Sequence, residues 1–113
     1  MSINRLTREL RDLNPDIRIK AAMNLGEMVA AETLPSIISA FKKDDNENVK
    51  SVIAEALANF SDFDEVITAL VNAKENDKSE IVRISADWAL KQIAKKRGFT
   101  DLQTLLDDIN KED

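Results

Sequence analysis

Three stretches of this chain decide its fold because they say nearly the same thing. Asn14-Pro15-Asp16-Ile17-Arg18-Ile19-Lys20-Ala21-Ala22-Met23-Asn24-Leu25 aligns without gaps to Asn46-Glu47-Asn48-Val49-Lys50-Ser51-Val52-Ile53-Ala54-Glu55-Ala56-Leu57. Both align to Ser79-Glu80-Ile81-Val82-Arg83-Ile84-Ser85-Ala86-Asp87-Trp88-Ala89-Leu90. The shared cation falls at 18, 50 and 83, so the unit recurs after 32 and then 33 residues. A period of that size marks a stacked repeat, in which no single unit buries its apolar face alone.

Each unit reads as two helices. In the first, Asn14 is placed to cap and Pro15 to occupy the first helical position, where its missing N–H costs nothing. Ile17, Ala21, Leu25 and Met28 then recur at helical spacing and are expected to form the core stripe. A second helix is expected from near Thr33, with Pro35 in its first turn, presenting Leu34, Ile37, Ile38 and Phe41. Unit two repeats the plan with Val49, Ile53, Leu57 and Phe60, then Phe63, Val66, Ile67, Leu70 and Val71. Unit three uses Val82, Ala86, Leu90 and Ile93 and stops at Lys95-Lys96-Arg97-Gly98, cations followed by glycine. Thr100 is expected to cap a last helix carrying Leu102, Leu105, Leu106 and Ile109. Ahead of the repeats, Ile3, Leu6, Leu10 and Leu13 make one more amphipathic helix, with Arg5, Arg8, Glu9, Arg11 and Asp12 as its polar face. The expectation is all-α: seven helices, as a capping segment over 1–13 and helical hairpins over 14–45, 46–78 and 79–113.

The string Asn-Pro-Asp-Ile-Arg-x-x-Ala-Ala-x-x-Leu-Gly at 14–26 resembles the first helix of a HEAT-like repeat, of the short phycobilisome-lyase type. The later units keep Val49, Lys50, Ala54 and Leu57, and Val82, Arg83, Ala86, Ala89 and Leu90. The resemblance implies an α-α superhelix of HEAT-like solenoid form, covering roughly residues 14–110. It also implies that an acid and an arginine near each helix start bond between neighbouring repeats. Asp16 matches that acid, whereas Asn48 and Ile81 stand at the equivalent positions, so no continuous ladder is expected there.

Composition narrows function by exclusion. The 113 residues hold no His, Cys or Tyr, leaving no imidazole base, thiolate nucleophile or nitrogen- or sulfur-ligated metal site. The chain is therefore expected to be non-enzymatic, with no catalytic residue, cofactor or metal. Asp44, Asn46, Asn48 and Glu55 fall at calcium-loop spacing, but the position that needs glycine holds Val49. A polar turn with a helix cap is the expected reading. Net charge is −5, with −1 in residues 1–56 and −4 in residues 57–113, which disfavours nucleic acid as a partner. Neither a membrane span nor a signal peptide is visible, and a cytoplasmic protein is expected.

The remaining reading is a protein-binding module: a scaffold, adaptor or assembly factor that is a monomer or weak homodimer. At about 100° per residue, Ile19 and Met23 lie away from the first core stripe, and Ile84 and Trp88 repeat those positions in unit three. These four are the candidate convex patch, and Trp is strongly enriched at interface hot spots. On the second helices, Asp64, Glu65, Thr68, Asn72, Gln103, Asp107 and Asp108 form a candidate acidic concave face, suited to a basic helix or loop. The lyase-type resemblance implies an alternative, an accessory that handles a tetrapyrrole on a target protein. Self-association through Ile84 and Trp88 is a third reading.

Overall fold

The computed structural model describes residues 2–111; Met1, Glu112 and Asp113, in the first and last segments expected above, lie outside the described residues. Among the described residues the chain is all-helical, with seven α-helices: α1 (Ile3–Glu9), α2 (Pro15–Met28), α3 (Leu34–Lys43), α4 (Glu47–Leu57), α5 (Asp64–Asn76), α6 (Glu80–Lys96) and α7 (Leu102–Asn110). A single 3-10 turn, Ala31–Thr33, leads into α3. The packed hairpins form the α-solenoid that the repeats foretell.

The helices make two rows. α2, α4 and α6, the three aligned segments, pack side by side, and their equivalent leucines Leu25, Leu57 and Leu90 are completely buried. Burying each contributes on the order of 1.5–3 kcal/mol. α1, α3 and α5 each pack on the first-row helix that follows them, α2, α4 and α6, while α7 lies on α6. Neighbours within this second row stand further apart than those in the first, with α3 and α5 only lightly in contact.

The first row packs closely because small residues meet at α2 and α4. A Cβ built on Gly26 would lie 2.8 Å from the Ala56 Cβ and 3.1 Å from its Cα, too near for either to stay in place. The Gly26 carbonyl also accepts from the Asn59 side chain at 3.0 Å. Polar groups at the ends are satisfied locally. Asn14 accepts from the Asp16 N–H, and Asn46 accepts from those of Asn48 and Val49. The buried Thr33 hydroxyl donates to the Ala30 carbonyl at 2.7 Å.

Several local expectations need correction. Leu13 is not on the buried side of the first helix: α1 ends at Glu9, and Leu13 sits 97% exposed in the following turn. Met28 is exposed, because the buried side of α2 runs through Ala21, Ala22, Leu25 and Gly26 toward α4. The last helix is capped by Asp101, not Thr100; its carboxylate accepts from both the N–H and the hydroxyl of Thr104. α2 stops at Val29, held at φ 48° and ψ 47° in the left-handed region. A β-branched side chain is strained there by about 1–2 kcal/mol.

Two substitutions probe these features by thermal and urea melts. Gly26→Ala, a gain in helix propensity on an open surface, should cost about 1–3 kcal/mol here because α2 and α4 must separate. Equal or higher stability would show that the contact yields freely. Val29→Asn, which tolerates the left-handed conformation, should raise stability by up to about 1 kcal/mol; a loss would show that the valine's remaining contacts outweigh its strain.

Candidate functional site

Two candidate faces must be located on this framework, and one repeated interaction orients both. The cation at 18, 50 and 83 lies one turn inside each first-row helix and reaches back to the turns. Arg18 donates to both carboxylate oxygens of Asp44, from Nε at 2.8 Å and Nη2 at 3.3 Å. Its Nη1 bonds the carbonyls of Asp12 at 2.7 Å and Leu13 at 3.2 Å. Lys50 pairs with Asp77 and lies 5.9 Å from the Phe41 ring centroid. Arg83 donates to the Asp77 carbonyl at 2.6 Å.

The acids of these pairs, Asp44 and Asp77, and their equivalent Asp12 each lie two residues before a helix cap and accept the cap residue's N–H at 2.9 Å. A cross-repeat ladder of two charge pairs therefore forms, Arg18–Asp44 and Lys50–Asp77, and neither pair uses positions 16, 48 or 81, where no continuous ladder is expected. Its acid comes from the turn, where it can face the preceding repeat's cation. The signal was present in the sequence, since 12, 44 and 77 repeat with the same 32- and 33-residue spacing. With Asp44 bound to Arg18 and Asn46 capping α4, the calcium-loop spacing serves structure.

Both grooves of the second row sit over these rungs. Between α1 and α3 a groove of about 860 Å³ is lined by Leu10, Arg11, Leu13, Pro35, Ser36 and Ser39, with Arg18 and Asp44 also in its wall. Between α3 and α5 a smaller groove of about 360 Å³ has Lys50 and Asp77 in its wall. Neither was anticipated, because each is made by helices distant in sequence.

On the first row, Met23, Ile84 and Trp88 point outward, 55%, 60% and 47% exposed. Ile19 does not join them. It is half-buried and packed on the core, on the flank whose equivalent in α4, Ser51, bonds Ser85 of the next helix at 2.6 Å. Sequence reasoning missed Ile81, 47% exposed, which extends the α6 stripe as 81, 84 and 88. Met23 and Trp88 are two helices apart, with exposed Glu55 at the intervening position.

On the second row, Asp64, Glu65, Thr68 and Asn72 of α5 and Gln103, Asp107 and Asp108 of α7 are all exposed. Part of the acidity is already met: Asp64 pairs with Arg97 at 3.0 Å, and Asp107 accepts from Gln103 at 2.9 Å. Glu65 and Asp108 carry the freest negative charge of this set. Among the described residues no cluster of metal-ligating side chains forms, and no helix is long and apolar enough to cross a membrane.

Three carboxylates are perturbed: Asp77, Asp87 and the cap Asp101, which the hydroxyl and N–H of Thr104 hold below its ordinary 3.8. Burial pushes Asp77 up, but the Lys50 hydrogen bond, the Ser79 N–H and the charges of Lys50 and Arg83 outweigh it and hold the group below its ordinary 3.8. Burial likewise raises Asp87, yet hydrogen bonds and charge from Lys91 and Lys74 bring it below the same value. Each shift arises from an ion pair or a helix cap.

The family model for HEAT repeats matches residues 3–91, from the first residue of α1 into α6. No curated protein matches the chain.

The ladder gives a pH prediction with a definite sign. A carboxyl whose folded pKa is depressed adds stability that is fully present above its unfolded value and is lost as pH falls through the folded one. Asp77→Asn should cost about 1–3 kcal/mol at neutral pH. That deficit should shrink once pH drops below 3.8, where wild type loses the same interaction. A constant deficit from neutral to acid would show that Asp77 acts through shape alone.

Proposed function

Because this chain belongs to the HEAT-repeat family, we propose that it is a non-catalytic protein-binding module, serving as a scaffold, adaptor or assembly factor. HEAT repeats typically mediate protein–protein interaction. The observation that carries the reading here is the outward placement of Met23, Ile84 and Trp88 on the first row. The repeat plan does not need them outside, since Glu55 occupies the equivalent position in α4 and leaves that helix fully packed. Large exposed apolar side chains on a rigid row are the usual raw material of an interface core. The acidic second row is the competing surface, suited to a basic segment through Glu65 and Asp108.

The supporting chemistry is consistent with this role. The buried polar side chains among the described residues all have hydrogen-bond partners, so the interior holds no reserve of unsatisfied groups. Arg18–Asp44, Lys50–Asp77, Lys74–Asp87 and Arg97–Asp64 join different elements, while Arg5–Glu9 and Lys91–Asp87 lie within one helix. What remains available is surface.

Affinity capture from host lysate, with identification by mass spectrometry, separates the two surfaces. Wild type, Trp88→Glu and the double variant Glu65→Lys with Asp108→Lys should all fold, as circular dichroism and melting would verify. A partner retained by wild type should be weakened about 30-fold or more by Trp88→Glu, as for a hot spot, and little by the acidic-face variant. The reverse pattern would move the site to the second row. Absence of any partner specific to wild type would overturn the reading.

A further inference from the structure

We propose that the exposed stripe of α6 is a self-recognition surface: it takes α6 of a second copy, antiparallel, around a two-fold axis near Ala86. This deepens the functional reading above, resting on α6 as a contact face.

The repeat itself shows that one flank of α6 stands open. In α2 and α4 the position equivalent to Ile84 lies against the next first-row helix: Ile19 is half-buried, and Ser51 bonds Ser85 of α6. In α6 the same position, Ile84, stands 60% exposed. Ile81 and Trp88 flank it at one-turn intervals on the same side, so the stripe is continuous along the helix.

The occupant follows from the pattern along that stripe. Exposed Glu80 lies at its N-terminal end and exposed Lys95 toward its C-terminal end, one turn beyond Lys91, which pairs with Asp87 at 2.8 Å. Set antiparallel with Ile84 opposite Trp88 of the second copy, the two stripes bring Glu80 toward Lys95 and lay Ile81 beside the aliphatic stem of Lys91 of the other chain, and the symmetry makes the same match again. A parallel pairing would oppose like charges. Continuing the stack head-to-tail fits less well. The flank of α2 that would then meet Ile84 carries Lys20, Asn24 and Glu27, the equivalents of the α6 and α4 residues Ser85, Ala56 and Asn59 that face a preceding helix. A two-fold contact places apolar on apolar and acid on base, and it closes on itself. One helix of 17 residues, about 25 Å long, provides a small interface, so the dimer is weak and concentration-dependent.

Sedimentation equilibrium on the purified full chain tests this without any other partner. Wild type should move from 12.7 kDa toward twice that mass across a concentration series to roughly 1 mM. Trp88→Glu should weaken association at least ten-fold. The charge pattern gives the sharper test. Glu80→Lys alone and Lys95→Glu alone should each lose dimer, while an equimolar mixture of the two should regain it, because both rungs become complementary in the mixed pair. Wild type that stays at 12.7 kDa throughout, or a mixture that fails to associate when wild type does, would overturn the proposal. A monomer that still captures a lysate partner through Trp88 would sink self-recognition and leave the binding function standing. A dimer that captures nothing else would do the reverse.

Discussion

The cation at positions 18, 50 and 83 is the constraint around which the rest of the molecule is arranged. A first-row helix has an apolar side that demands burial, but apolar packing is indifferent to small sliding motions of one helix past the next. The rung removes that freedom. Arg18 joins the turn that precedes its own helix, through the Asp12 and Leu13 carbonyls, to the turn that precedes the next one, through Asp44. Since Asp44 also receives the N–H of Asn46, the pair fixes where α4 starts. The arginine fork supplies enough donors for both tasks. Lysine at 50 is a single ammonium point, and its recorded bond is to the following turn's Asp77. Arg83 closes back on its own turn. The three rungs are chemically graded although their positions repeat.

The fold was legible because its signals are local and occur three times. A cap, a proline at the first helical position and leucines at one-turn spacing act within a few residues, and agreement among three copies removes most ambiguity. The misreadings come from periodicity taken alone. It continues on paper past the point where a helix stops, as at Leu13, and it does not say which side of a last turn the neighbouring helices leave uncovered, as at Met28. Thr100 and Asp101 are both good capping residues, and only the course of the chain decides between them.

The candidate surface was legible in part. Met23, Ile84 and Trp88 follow from a helical wheel, because a residue opposite the core stripe stays outside unless another element covers it. Ile19 lies between the outer side and the flank facing α4, and a wheel alone cannot say how far the next helix reaches around it. Ile81 was read as a failed acid position, which concealed that it begins an apolar stripe. The second-row grooves were beyond sequence reasoning altogether, since each joins helices separated by a full repeat.

The three units use one framework and differ where the framework makes no demand. Positions 25, 57 and 90 are all leucine and all buried; positions 12, 44 and 77 are all aspartate. By contrast, positions 16, 48 and 81 read Asp, Asn, Ile, and positions 23, 55 and 88 read Met, Glu, Trp. Such sites tolerate polar groups, as Asp16, Asn48 and Glu55 show, so the apolar choices in the third are not imposed by folding. Exposed apolar area gains nothing for an isolated monomer and adds a liability to association. Among the described residues, α6 alone places three large exposed apolar side chains along one line, with Glu80 and Lys95 at opposite ends of it. The third repeat thus departs from the framework at positions where folding leaves the choice of side chain free, and that freedom is where a repeat can differ in chemistry without differing in fold.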